Sequence, residues 1–263
     1  MVNEAKGRRP LLRGYWSTAV IVVLFLAAYT LATDVAGALD KILFPGPSRI
    51  GRALLEAMPR LWDSLLSSMG LLIPAFSLAA LTGIALGVAI GLHPRAHHAL
   101  KPIIFALSPL PPSMLTPYFI AIMPTFYISS VAIIFLGCFW PFLSGTISGI
   151  LLTDQKYLDN AKVLEMTGWR KLLMVILPAA APHILNGAAT ALNFAFILLT
   201  VAEMFATDSG LGYFVQYYAD FSDYARVIAG LLFTIAVFVT IMLAFDRLRR
   251  KLLFWMIGED NRT

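Results

Sequence analysis

DNAKVLEMTGWRKLLMVILPAAAPHI, residues 159–184, lies between two long apolar stretches and resembles neither. It opens polar, passes Gly168 and Trp169, and ends in a run carrying Pro178 and Pro182. Its meaning depends on its surroundings. Hydrophobic residues make up 59% of the 263 and charged residues 13%, with a mean hydropathy of +0.78. A soluble domain carries about a quarter charged residues, so this composition belongs to an integral membrane protein.

Crossing a core of about 30 Å takes roughly 20 apolar residues at about 1.5 Å each, and such runs recur on both sides of the quoted segment. The expected spans are residues 15–33, 65–92, 102–123, 130–152, 182–206 and 225–245, an all-α fold of six transmembrane helices in a single domain over residues 1–263. Barrel strands would alternate polar and apolar residues, whereas these runs are apolar throughout. Basic residues near span ends resist translocation. With both termini inside, fifteen of the twenty Lys and Arg fall in the cytoplasm, leaving Lys41, Arg49, Arg52, Arg60 and Arg226 outside. The pI near 9.4 then reflects topology, and no nucleic acid partner is expected. The first span follows basic residues as a secretory signal would, but its apolar stretch is longer than about 15 residues and reads as a retained anchor. Cys138 is the only cysteine, so no disulfide framework can form within one chain.

Several features within the spans ask for explanation. A turn at residues 44–48 leads to a short helix that Ser48 can cap and that runs to about Met58, with Ile50, Ala53, Leu54 and Ala57 on one face, expected to rest on the outer membrane interface. Gly83, Gly87 and Gly91 recur every fourth residue, the spacing that lets another backbone approach closely in lipid. The third span carries Pro102, Pro109, Pro111, Pro112 and Pro117; it must kink or break, and freed carbonyls are tolerated only against protein or a water-filled cavity. Ser113, Thr116 and Tyr118 lie there as candidate pathway residues. In the fifth span Asn186, Thr190, Asn193, Thr200 and Glu203 follow at steps of three, four or seven, a stripe that should face the bundle interior. Glu203 reads equally well as a pathway residue or as a structural carboxylate paired with Arg226 or a backbone donor.

The quoted segment falls in the longest cytoplasmic loop, residues 153–181. Thr153 or Asp154 can cap a helix whose Tyr157, Leu158, Ala161 and Leu164 form an apolar strip against Lys156, Asp159, Lys162 and Glu165. Gly168 can end it, and residues 169–177 can form a second short helix before Pro178. A helix this short is marginal in water, so its strip needs a cover, from its own bundle or from a partner.

Asp159-Asn160-Ala161, then Trp169, then Ile176-Leu177-Pro178 resemble the EAA loop of binding-protein-dependent ABC importer permeases. Val201-Ala202-Glu203, Gly210-Leu211-Gly212-Tyr213 and the turn at residues 43–48 are similar to the nitrate, sulfonate and taurine branch. The resemblance covers residues 43–255 and implies a type I, MetI-like transmembrane domain in the bacterial inner membrane. It further implies a permease dimer, a homodimer here, with two cytoplasmic ABC ATPase subunits that bind the ATP, an external substrate-binding protein, and no cofactor of the permease's own. Leu158, Asp159, Ala161, Lys162, Leu164, Glu165, Gly168 and Trp169 would then couple to the ATPase. Three departures stand out: Asn160 replaces the first alanine, Glu165 stands at the glycine position, and Met123-Pro124-Thr125-Phe126-Tyr127 replaces a Trp-Phe-Gly-like segment. Because Glu165 should resist the left-handed conformation, the coupling helix is expected to run almost a turn further, to Gly168.

The chain has no phosphate-binding loop and no serine nucleophile elbow, which argues against an enzyme. His93 and His97 stand four apart, but Pro94 between them and the lack of a nearby carboxylate speak against zinc. The competing reading is a secondary transporter or membrane-embedded enzyme without an ATPase; ion-coupling carboxylates in mid-span and an internal repeat would mark such a carrier, and neither stands out. With no Lys or Arg buried in a span, a small-molecule anion would be held by hydroxyls, amides and helix N-termini, and a neutral or heteroaromatic solute fits the same lining.

Overall fold

A computed structural model describes residues 20–254 apart from 22, 25, 26, 36–39 and 41. The expected first span lies partly outside the described residues; residues 27–30 are helical and run into the π turn Leu31–Val35. No strand occurs among the described residues.

Helix α1, Pro47–Leu92, has 46 residues and is about 69 Å long at ~1.5 Å per residue, twice what a membrane core needs. The expected separate interfacial helix is therefore the first part of α1. Gly46 occupies the N-cap and Pro47 the first turn, so Ser48 caps nothing. Pro59 sits inside the helix without ending it. Ala57 and Leu61 are buried against Leu211, Phe214 and Tyr218, which gives this amphipathic stretch a protein cover in place of the lipid surface.

The expected third span is not one helix. Helix α2, Pro94–Leu107, stops, and after a 3-10 turn at Pro112–Leu115 the chain continues as α3, Thr116–Ile122, the two halves bent by 74°. Pro109, Pro111 and Pro112 explain the break, since three missing N–H donors within four residues leave no ladder to continue. Helix α4, Phe126–Leu151, begins where Thr125 Oγ1 accepts the Ile128 N–H at 3.2 Å. Helix α5 is Gln155–Val163; after the turn Gly168–Lys171 and the π segment Leu172–Ile176 comes α6, Leu177–Ala206. Helices α7, Leu211–Asp220, and α8, Tyr224–Leu252, complete the described chain. Among the described residues four helices are long and apolar enough to cross a membrane, or five if the bent pair counts as one span.

The core is the packing of α1 and α6 on α4, with Ala75 and Ala79, Ile133, Ile134 and Cys138, and Ala191, Ala195 and Leu199 at its centre. Small residues make this close. A Cβ on Gly83 would lie 2.7 Å from Phe142 Cβ, one on Gly87 2.6 Å from Thr146 Cβ, and one on Gly91 3.1 Å from Ile150. The glycine row of α1 thus seats Phe142, Thr146 and Ile150, which recur every fourth residue on α4. On the other side of α4, Gly145 meets Gly187, and a Cβ on Gly149 would lie 2.8 Å from the Ala180 carbonyl. In lipid, where apolar burial drives little, such backbone approach is what holds helices together. Helix α8 is looser, buried at Ala229, Gly230 and Thr234 and stacked through Phe238 on Phe196 at 4.0 Å.

Candidate functional site

The break between α2 and α3 opens a cleft of about 610 Å³. Its walls are the proline turn at residues 108–112, Trp140, Ser144 and Ser148 of α4, and His183, Asn186, Thr190 and Phe194 of α6. It continues into a second basin of about 680 Å³, because Ser108, Ser144 and Ser148 line both. His97, His98 and Lys101 stand on the far wall. Hydroxyls, an amide, an imidazole and indole face the space, while the walls stay mostly apolar, the make-up of a site for a small polar solute.

The expected polar stripe divides. Asn186 and Thr190 line the cleft, whereas Asn193 and Thr200 face a separate space of about 880 Å³ between α6 and α8, with Phe238, Met242, Asp246 and Arg249. At 3.6 residues per turn the four lie within about 80° of one another around α6, so the stripe is one face that straddles the boundary between the two spaces. Of the third-span candidates, Ser113 lies in the 3-10 turn, Thr116 is buried and Tyr118 is exposed; none lines the cleft. Ser108, Ser144, Ser148 and His183 were missed by sequence reasoning. Ser144 and Ser148 stand four apart in an apolar helix, the same signal that singled out α6.

Glu203 is buried, 1% exposed, and its Oε2 accepts the Gly212 N–H at 2.7 Å. Of its two readings, the structure displays the backbone donor. Arg226 is engaged elsewhere, with Asp223 and, at 3.4 Å, Glu56.

In the loop, Asp154 caps α5 by accepting the Lys156 N–H at 2.9 Å. Ala161 is buried and Leu158 half-buried, both turned to the bundle, Leu158 in the cluster of Ile150, Leu172, Ile176 and Ala180. Tyr157, Leu164 and Trp169 remain outside, Leu164 at 69% and Trp169 at 74% exposure. The apolar strip is therefore shared, one half covered by its own chain and one half open. Asp159 Oδ1 accepts from Lys162 Nζ at 2.9 Å and from Gln155 Nε2 at 3.0 Å. The Lys162 bond, then the Gln155 bond, hold its carboxyl below the usual range.

The expectation of a longer helix is corrected here. Helix α5 ends at Val163, and Glu165 adopts φ +52. The Met166 N–H reaches the Ala161 carbonyl at 2.8 Å and the Glu165 N–H that of Lys162 at 2.9 Å, the paired bonds of a Schellman cap with Glu165 in the seat glycine usually takes. Two satisfied carbonyls outweigh the left-handed strain of about 1–2 kcal/mol. Gly168, φ +53, opens the next turn and ends nothing.

A bundle of apolar helices around a mostly apolar cleft set with hydroxyls, an amide and an imidazole has the build of a membrane transport protein. The family described as binding-protein-dependent transport system inner membrane component matches residues 79–256, and the chain belongs to it. It is 31% identical over 256 residues to a putative aliphatic sulfonates transport permease protein of Bacillus subtilis (strain 168), covering 96% of this chain and 92% of that one. To the taurine transport system permease protein of Escherichia coli (strain K12) it is 30% identical over 261 residues, 96% and 94% of the two chains. Its fold matches a solved inward-facing MetNI methionine ABC transporter with a TM-score of 0.65 at 14% identity, over 75% of this chain and 98% of that one. It is an ABC importer permease, and ATP hydrolysis belongs to a separate subunit.

Proposed function

We propose that the chain pairs with a second copy and passes a small solute of the sulfonate, taurine or nitrate kind along the cleft between the α2–α3 break, α4 and α6. Six spans with both termini inside, in one permease domain in the bacterial inner membrane, complete this reading. An external binding protein delivers the solute and an ATPase dimer, which holds the ATP, docks on the α5 turn; the permease needs no cofactor of its own. The observation that carries the reading is the continuity of one helix. The stretch Gly168–Phe205 counts 38 residues, begins beside the exposed Leu164 and Trp169, and carries His183, Asn186 and Thr190 into the cleft. A push on the collar reaches the cleft wall along a single rod.

The solute assignment rests on the relatives' names and on the cleft's hydroxyls, which suit an oxyanion leaving past Lys101. Polar Asn186, Thr190 and Asn193 are exposed on α6 among Phe194 and Ile197, and in lipid such groups need protein or water beside them, which the second copy supplies. The test is co-purification with the ATPase. L164A/W169A should lower ATPase retention at least tenfold with unchanged permease thermal stability, since neither side chain is packed on its own bundle; full retention would reject the docking surface. Taurine, methanesulfonate and nitrate binding to the cognate receptor then checks the solute.

A further inference from the structure

A buried polar junction joins three helices at the end of α6 remote from α5. Glu203 Oε2 accepts the Gly212 N–H in the first turn of α7 at 2.7 Å, while Ser68 of α1 accepts the neighbouring Leu211 N–H at 2.9 Å. The Ser67 and Ser209 hydroxyls bond at 2.7 Å, and Thr207 Oγ1 donates to the Ser209 carbonyl at 2.7 Å. The junction has no room to spare. A Cβ on Gly212 would stand 2.6 Å from the Thr200 carbonyl, and one on Gly210 would overlap the Glu203 carboxylate itself. Glu203 is absent from the walls of both the cleft and the space beside α8, so it is not spent on the solute.

The apolar face of α7, Leu211, Phe214 and Tyr218, packs on Ala57 and Leu61 of α1. Its polar tie to α6 is the carboxylate. A rod of 38 residues, about 57 Å at ~1.5 Å per residue, moves only what is fastened to its far end. Building on the coupling role proposed above, we propose that Glu203 is a positioning residue, a latch that makes α7 follow α6 when nucleotide acts on the α5 turn. A carboxylate with one short, buried bond suits this task, because a directional bond resists sliding in both directions where apolar packing would slip.

Hydrogen exchange of the permease–ATPase complex, with and without ATP and vanadate, tests the latch without knowledge of the solute. In the unmodified complex, nucleotide should change exchange both at residues 155–171 and at α7. E203A should reduce the nucleotide-dependent difference at α7 at least threefold and leave that at residues 155–171 intact. E203Q keeps an acceptor for Gly212 and should retain both. An α7 response that persists in E203A overturns the latch, as does its absence from the unmodified complex. Should E203A not assemble, E203D, which shortens the side chain by one methylene and withdraws the acceptor from Gly212, reads the same bond, and an unchanged α7 response there equally overturns it. Failure of the ATPase to co-purify would strike the coupling reading, a result separate from any of these.

Discussion

Glu165 and Gly210 both hold the backbone at positive φ, +52 and +113, and they flank opposite ends of the long helix Gly168–Phe205. Their surroundings differ. Glu165 is exposed and closes a cap whose bonds come from the backbone on either side. Gly210 is buried, and the space a side chain would take holds the Glu203 carboxylate. At the first place the conformation alone disfavours a side chain, and the chain tolerates one. At the second, conformation and packing forbid it together. Left-handed geometry costs a kcal/mol or two, whereas a missing volume in a closed junction cannot be made up by relaxation.

The sharpest break in this comparison is G210A. Its φ of +113 and ψ of 171 lie in a region essentially reserved for glycine, and the added methyl must displace the carboxylate. We expect a loss of about 3–5 kcal/mol, summing backbone strain and overpacking, seen as a collapse of the folded fraction in detergent on thermal unfolding. A midpoint near that of the unmodified protein would show that the junction yields.

G187A asks the same of the helix contact. Its Cβ would lie 2.5 Å from the Pro141 carbonyl, backbone against backbone, so α4 and α6 must part at a cost of about 1–3 kcal/mol. G51A, with nothing within 4 Å, should instead stabilise by roughly 0.5–1 kcal/mol through helix propensity alone. Opposite shifts in unfolding midpoint for the two glycines would separate packing from propensity; shifts of the same sign would deny the distinction.

The same contrast separates what the residues announce from what they conceal. The membrane class, the break forced by Pro109, Pro111 and Pro112, and the close approach at Gly83, Gly87 and Gly91 are local or periodic signals, and they read directly. The length of α1 does not, because nothing near Met58 says whether a helix stops or continues; the burial of Ala57 and Leu61 by residues about 150 positions later decides it. The cleft was half legible, since Asn186 and Thr190 stand out in an apolar helix, but Asn193 and Thr200 follow them at helical spacing and turn to another wall. The end of α5 is hidden for a definite reason: the propensity of Glu165 speaks against a left-handed cap, and the two carbonyls the cap satisfies leave no mark in the sequence.

E165G sharpens that last point with a smaller effect. If Glu165 carries left-handed strain in the open, glycine should relieve it and stabilise the α5 cap by about 0.5–1 kcal/mol after the entropy glycine loses on folding. Slower amide exchange at positions 165 and 166 would register the gain. A cap that weakens would mean that the Glu165 side chain makes a favourable contribution of its own.

The smallest effect concerns Asp159, on the exposed face of the same short helix. Its carboxyl is held below its ordinary value by the Lys162 bond first and the Gln155 bond next. A depressed carboxyl supports the fold when ionised, so the contribution is complete above the ordinary value near ~4 and disappears as pH falls through the depressed one. Both partners are solvent-exposed, with side chains 56% and 65% accessible, so water and salt screen most of it. The comparison should therefore be made at matched pH between the unmodified protein and D159N, by amide exchange over residues 155–163. A modest difference is expected at pH 6 that shrinks in 1 M salt and fades only once the pH falls below the depressed value, where the unmodified Asp159 takes up a proton. A difference that stays the same across that titration would trace to the shape of the side chain and remove charge from the account of this helix.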